Sequence, residues 1–196
     1  PNPEEQGVLD LAIKYAQENA ADLIIANDPD ADRCAVAIND INLGWKMLTG
    51  DQVGSIIGSY LISKNQSANA QVANSLVSSS LLSKIAAKHN LTHKETLTGF
   101  KWISKVENLI FGYEEALGYC IDPTNVNDKD GISAALIIAQ IAADLKNQGT
   151  TINDYLLQLG QEYGFHSTEQ ISIRYAKLDL IDQTLNKVAS NPPKTL

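Results

Sequence analysis

Three carboxylates stand at alternate positions in the run Asn27-Asp28-Pro29-Asp30-Ala31-Asp32-Arg33. Carboxylates this close repel one another and cost stability unless a cation or hydrogen-bond donors sit among them. An extended or turning backbone can aim all three at one point, and an oxygen-only donor set favours Mg²⁺ over a softer metal. Mg²⁺ held in this way commonly takes a substrate phosphate as a further ligand, and Arg33 next door supplies a planar fork suited to phosphate oxygens. Asp28, Asp30 and Asp32 are therefore candidate metal ligands, and Arg33 is a candidate catalytic residue. An EF-hand is excluded: counting from Asp28, the sixth place is Arg33 where glycine is needed, and the twelfth is Asn39 where glutamate is needed. Two other readings stay open. One is an aspartyl-phosphate phosphatase with Asp28 or Asp30 as nucleophile; the other is a loop whose aspartates only cap turns.

Three further segments could carry chemistry. In Thr96–Trp102, Gly99 stands near Lys101 between an expected strand and an expected helix, a place where the backbone can approach an anion closely. A solvated lysine at a helix start explains the same residues. In Phe111–Tyr119, Glu114 and Glu115 lie between glycines among aromatic and apolar residues. They suit the hydroxyls of a sugar, and equally a charged surface at the end of a strand. In Asn127–Gly131, Lys129 precedes a helix, where a cation is unfavourable unless it meets an anion, so it is a candidate for binding phosphate. His89, His93 and His166 show no metal-ligand spacing, Trp45 and Trp102 read as packing residues, and Cys34 and Cys120 read as inert buried thiols.

The elements that must position these residues follow from periodicity. Apolar recurrence predicts helices at Pro3–Asn19, from Thr49 through Val53, Ile56, Ile57, Tyr60 and Leu61 on one face, from Ser80 to about His89, at Lys101–Val106, Ile152–Gln161 and Leu178–Ala189. The stretch from Asp130 to Asn147 is apolar nearly all round, which predicts a well-buried helix. Short apolar runs predict strands at Asp22–Ala26, Arg33–Ile38, Leu43–Leu48, Val72–Val77, Thr92–Leu97, Leu109–Tyr113 and Gln170–Tyr175. Strands alternating with helices imply an α/β layered fold with a largely parallel or mixed sheet. Joints between units are expected near Asn39–Thr49 and Tyr163–Thr168.

Composition narrows the setting. The 196 residues carry 23 acidic and 15 basic side chains, a net charge of −8, which argues against a non-specific nucleic-acid partner. The longest mostly apolar uncharged run, Gly131–Ala143, is too short for a membrane span of about 20 residues. Two cysteines and no basic apolar leader fit a reducing, cytoplasmic setting. The chain opens on Pro1 and its single methionine is Met47, which fits either removal of an initiator or a piece of a longer chain.

Taken in order, the four segments resemble the α-D-phosphohexomutase superfamily of phosphoglucomutases and phosphomannomutases, and Ala26–Arg33 looks especially like its phosphopentomutase branch. The resemblance covers nearly all of this chain but only the middle of a four-domain enzyme. It implies a three-layer α/β/α fold with a mixed sheet: residues 1–48 as the end of domain two with the metal loop, 49–163 as domain three, which recognises the sugar, and 164–196 leading into domain four. It implies Mg²⁺ on Asp28, Asp30 and Asp32 with Arg33 beside it as a catalytic residue, proton transfer by Lys101, hydroxyl binding by Glu114, and substrate binding by Gly99, Ala116 and Lys129. Ala116 stands where many members have serine, so hexose and pentose phosphates both stay open. The family's phosphoserine loop and its fourth-domain phosphate loop do not occur in this sequence.

The implied reaction moves a phosphoryl group between carbon 1 and a distal hydroxyl of a sugar phosphate, through an enzyme phosphoserine and a sugar bisphosphate. The expected partners are the sugar phosphate and domains one and four of the same enzyme, and the 196-residue piece alone is expected to be inactive. The alternatives are a stand-alone Mg²⁺-dependent aspartyl phosphatase and a non-catalytic module that binds sugar phosphates.

Overall fold

The structure is a computed structural model that describes residues 7–169, 175 and 177–192. Its first unit is a sheet of β1 (Leu23–Asn27), β2 (Cys34–Asp40) and β3 (Gly44–Met47), antiparallel in that order. Cys34 to Ile38 are all buried because both faces of β2 are covered. Helix α1 (Asp10–Glu18) packs Ala16 with Ile24 and Ala37 on one face. Helix α5 (Gly131–Asn147) joins Cys34, Val36 and Ile38 to Ala134, Ile138 and Ile141 on the other.

The second sheet has the order β5-β4-β6-β7, from β4 (Gln71–Ser75), β5 (Thr92–Thr96), β6 (Leu109–Glu114) and β7 (Gly118–Cys120). β4 runs parallel to β5 and β6, and β7 returns antiparallel to β6. Alternation along the strands splits their side chains between two layers. Val72, Phe111, Tyr113 and Tyr119 join the large core with α2 (Gly50–Lys64) and α3 (Leu81–Lys88). Ala73 and Cys120 pack instead with Phe100 and Ile103 of α4 (Phe100–Ile103). The same parity sends Tyr113 toward α2 and Glu114 toward α4, which decides the geometry of the site. Helices α6 (Ile152–Tyr163) and α7 (Asp179–Ser190) follow, and α7 has no buried residue.

The layered α/β expectation holds, with two sheets where one was expected. Six residues separate β1 from β2 and three separate β2 from β3, too few for a crossover, so this part of the chain pairs antiparallel. The expectation for α5 is corrected: Gly131, Ala134, Ile138 and Ile141 are buried, whereas Ile132 and Leu136 are 69% and 74% exposed. Helix α2 is more enclosed than its one predicted face, because small residues admit large neighbours; Tyr113 lies over Gly54, and Leu82 and Phe111 lie over Gly58. β4 stops at Ser75 because Leu76 and Val77 turn half-exposed into the following loop. β7 has no counterpart among the predicted strands. The predicted strand Gln170–Tyr175 lies, except for Tyr175, outside the described residues, as does the predicted start of the first helix at Pro3.

Asp40 fastens the two units. Its carboxylate accepts the N–H groups of Asn42 and Leu43 in the β2–β3 turn, the Lys46 ammonium at 2.7 Å, and the Asn153 amide of α6 at 3.0 Å. The Lys46 side chain and then the Asn42 N–H hold the Asp40 pKa down, to about 2. The folded carboxyl thus ionises more readily than an unfolded one, whose pKa is about 3.9, so its stabilisation is complete above that value and fades as pH falls toward 2. Asp40→Asn is expected to melt below the parent chain at pH 7, with the gap closing between pH 4 and pH 2 in circular-dichroism melts. A gap that stays constant across that range would remove the charge from the explanation. Among the described residues no helix is long and apolar enough to cross a membrane.

Candidate active site

The three predicted metal ligands converge. One oxygen each of Asp28, Asp30 and Asp32 lies within 4.8 Å of the others, with Asp28 buried, Asp32 half-buried and Asp30 exposed. They sit on the loop joining β1 to β2, which turns through Ala31 at a left-handed φ of 57°. The loop's neck is closed by the Asn27 side chain, which donates to the Arg33 carbonyl at 2.7 Å. Arg33 donates from its backbone N–H to Oδ1 of Asp28 at 3.1 Å and from Nε to Oδ2 at 2.6 Å. Burial opposes ionisation of Asp28, but these Arg33 contacts outweigh it and hold the carboxyl below its ordinary range. Each carboxylate oxygen can accept more than one partner. The charged, oxygen-only set therefore fits a hard divalent cation such as Mg²⁺.

This loop is sewn to the second unit through main-chain atoms. Arg33 pairs with Gly118 in an isolated antiparallel bridge, and the Cys34 N–H donates to the Leu117 carbonyl at 3.0 Å. Gly131, the first residue of α5, donates to the Ala31 carbonyl at 3.0 Å. A Cβ at Gly131 would lie 2.4 Å from the Arg33 carbonyl oxygen, so only glycine lets the helix start this close to the loop. Asp130 caps the same helix by accepting the N–H groups of Ile132 and Ser133. Lys129, read from the sequence as a cation in need of an anion, finds Asp32 at 2.5 Å. Burial works against its charge, yet Asp32, Asp128 and Glu114 together hold its pKa above the ordinary lysine value.

The paired glutamates part company. Glu114 accepts the Gly99 N–H at 2.6 Å, which joins two of the predicted segments; Gly99 holds a φ of 110°, open to glycine and strained for other residues. Glu115 turns the other way and accepts the hydroxyls of Ser75 and Ser78, both at 2.9 Å, as a structural carboxylate. Ala116 is exposed at the tip between β6 and β7 and lines a cavity of about 560 Å³ with Thr49, Asp51, Val77, Thr168 and Glu169. Lys101 has a different neighbour from the rest of the cluster: its ammonium lies 5.5 Å from the centre of the Trp102 ring. A second cavity, about 590 Å³ and lined by Ala21, Leu23, Ile38 and alanines of α5, shares no residue with the predicted site.

The sequence reading missed Asp51. Its buried carboxylate accepts the Ser79 N–H at 2.6 Å, the Tyr113 hydroxyl at 2.8 Å and the Thr168 hydroxyl at 2.6 Å. Burial first, and then the Asp51 charge, push the Tyr113 pKa well above its ordinary value, so the phenol stays a donor. Tyr113 directly precedes Glu114, so Asp51 steadies the strand end that presents it. In the sequence, an acidic residue just after a Thr49 cap reads as an ordinary helix start favoured by the dipole, which hides this role. His93 and His166 are tied to Asn74 and Ser80, in keeping with packing roles, and the two cysteines are free and buried, with burial pushing both thiols up to about 12.

Comparison with known proteins identifies the family. Residues 49–163 match the family model described as phosphoglucomutase/phosphomannomutase, alpha/beta/alpha domain III, and residues 1–44 match domain II of the same family. A Haemophilus influenzae protein named as a probable phosphomannomutase is 51% identical over 193 residues, which is 98% of this chain and 40% of that protein. A human phosphopentomutase is 39% identical over 186 residues, covering 86% of this chain and 30% of the relative. The chain thus spans well under half the length of these curated relatives. Among solved structures, the open form of the Paramecium phosphoglucomutase pp63/parafusin superposes with a TM-score of 0.67 at 26% identity, over 84% of this chain and 30% of that one. A Burkholderia thailandensis phosphoglucomutase/phosphomannomutase family protein shares the fold at a TM-score of 0.67 and 17% identity, over 81% of this chain and 33% of its own. With the domain III match covering more than half of its residues, the chain belongs to the phosphoglucomutase/phosphomannomutase family.

Proposed function

We propose that this chain supplies the metal loop and the sugar-recognition unit of a mutase that moves a phosphoryl group between carbon 1 and a distal hydroxyl of a sugar phosphate. The observation that carries the reading is convergence: the Asp28–Arg33 loop, Gly99, Glu114 and Lys129, separate in sequence, are linked by the Arg33–Gly118, Lys129–Asp32 and Glu114–Gly99 contacts. On this reading residues 1–48 are the end of the family's second domain, 49–163 its third, and later residues lead into the fourth. The relatives named phosphomannomutase, phosphopentomutase and glucose 1,6-bisphosphate synthase support a sugar phosphate substrate and a bisphosphate intermediate.

Asp28, Asp30 and Asp32 would hold Mg²⁺, which supplies Lewis-acid stabilisation of phosphoryl oxygens when bound. Arg33, oriented by its bonds to Asp28, offsets negative charge on the transferring group. Glu114 keeps acceptor capacity beyond its bond to Gly99 and binds sugar hydroxyls. Lys129 adds positive charge between the carboxylate loop and Glu114. Both oxygens of Asp28 accept from Arg33, which argues against its use as a phosphatase nucleophile. The phosphoserine and the remaining phosphate contacts belong to domains one and four of the longer enzyme.

In that longer enzyme, Asp30→Ala is expected to lower Mg²⁺-dependent conversion of a sugar 1-phosphate by about 10³-fold or more in a coupled assay. Near-normal turnover would sink the metal assignment. The 196-residue chain alone is expected to show no interconversion of glucose 1-phosphate and glucose 6-phosphate.

A further inference from the structure

The segment 164–169 that follows α6 has no regular secondary structure, and all of its residues except His166 are exposed. Side-chain hydrogen bonds tie it to the second unit. Ser80 Oγ, at the start of α3, and His166 Nδ1 lie 2.8 Å apart, and the Thr168 hydroxyl donates to Oδ2 of Asp51 at 2.6 Å. Thr168 is exposed, yet it reaches the carboxylate of a residue that is 6% exposed. That carboxylate also serves the candidate site: its Oδ1 accepts the Tyr113 hydroxyl at 2.8 Å and the Ser79 N–H at 2.6 Å, and Tyr113 directly precedes Glu114. One planar group thus holds the segment with one oxygen and the strand end with the other. The connection is stiff. The buried Tyr113 ring stacks with those of Phe111 and Tyr119, at 5.9 and 6.4 Å between centres, and lies so close to α2 that a Cβ at Gly54 would come 2.6 Å from it. Without the Thr168 hydroxyl, Oδ2 would lose this donor in a buried place, and the carboxylate would turn toward water to regain one. That turn takes Oδ1 off the Tyr113 hydroxyl. The confined ring passes the displacement to Glu114, whose carboxylate accepts the Gly99 N–H at 2.6 Å.

We propose that Thr168 is a positioning residue that, through Asp51 and Tyr113, couples the seating of segment 164–169 to the geometry of Glu114. Its consequence for sugar affinity rests on the reading that Glu114 binds sugar hydroxyls. Thr168 then sets how well the sugar is held without touching it.

Amide exchange followed by NMR in the 196-residue chain tests the coupling. The Gly99 amide reports on Glu114, and the Gly131 amide, bonded to the Ala31 carbonyl, is the internal control. Thr168→Val keeps the branched shape and removes the donor, so exchange at Gly99 should quicken about fivefold relative to Gly131, the worth of one hydrogen bond. Thr168→Ser, which keeps the hydroxyl, should exchange like the parent chain. A parent-like Gly99 rate in Thr168→Val overturns the proposal, and so does an equal rise at both amides, which would mean general loosening. In the longer enzyme Thr168→Val should raise KM for glucose 1-phosphate about fivefold with kcat near the parent value, because the lost interaction positions a binding group, and Thr168→Ser should restore it. A raised Gly99 rate beside a parent-like KM would uphold the coupling and count against sugar binding by Glu114, so the two failures are told apart.

Discussion

Replacement of Gly131 by alanine is expected to push apart the carboxylate loop and α5, with loss of both stability and divalent-cation binding. The new Cβ would fall 2.4 Å from the Arg33 carbonyl oxygen, 2.5 Å from Asn27 Nδ2 and 2.7 Å from the Ala31 carbonyl oxygen. Two of these atoms are backbone, so no rotamer change relieves the clash, and the third is the amide that closes the loop's neck. Overpacking costs about 1–3 kcal/mol, and loss of the Asn27–Arg33 and Gly131–Ala31 bonds adds about 1 kcal/mol each. At roughly 2–4 °C per kcal/mol for a chain of this size, the melting temperature should fall by about 10 °C. Mn²⁺ titration by calorimetry should show at least about tenfold weaker binding, because the three carboxylates no longer share one centre. Parent-like melting together with parent-like Mn²⁺ affinity would show that the loop can move without consequence.

Asp51→Ala is expected to be the most damaging single change outside the carboxylate loop. It leaves the Ser79 N–H and the hydroxyls of Tyr113 and Thr168 without their acceptor, in a place where the Asp51 carboxylate itself is 6% exposed. A buried donor left unpaired costs about 1–3 kcal/mol, so a total near 4 kcal/mol is reasonable after partial relaxation. Tyr113→Phe removes one donor and leaves the carboxylate two others, so its cost should be about 1 kcal/mol. Asp51→Asn, which keeps one acceptor oxygen, should fall between them. Thermal melts of the three variants, with hydrogen exchange at the Ser79 amide, test this order. If Asp51→Ala melted within about 2 °C of the parent chain, water would have replaced the carboxylate and the role assigned to it would be lost.

The parts of the site legible in the sequence were those whose chemistry is local. Asp28, Asp30 and Asp32 announce themselves because alternate carboxylates need a neutralising partner wherever they occur. Lys129 was legible as a cation at an unfavourable helix start, but its partner Asp32 is 97 residues away and no spacing rule connects them. The two glutamates were ambiguous because their separation depends on strand parity at the end of β6, which is set by how Phe111 and Tyr113 pack under α2. Asp51 was invisible for a related reason: its three donors, Ser79, Tyr113 and Thr168, come from three distant stretches of chain, and its own position looks like an ordinary first helical turn. At the fold level, strand and helix types followed from periodicity. The division into two sheets followed from linker lengths, which the alternation of elements alone does not weigh. Burial of α5 was overstated because hydropathy counts Ile132 and Leu136 as core wherever they point.

The bridge between Arg33 and Gly118 acts as a caliper. One jaw is the carboxylate loop that ends at Arg33; the other is the hairpin that carries Glu114, four residues before Gly118. Because the hinge pin is main chain, neither jaw can shift without tearing a strand end. A ligand that touches both must match a fixed span, and one that turns end for end must match it twice. On the proposed sugar phosphate reading, ligands would be sorted by length and by the symmetry of their two ends, before any single hydroxyl is read.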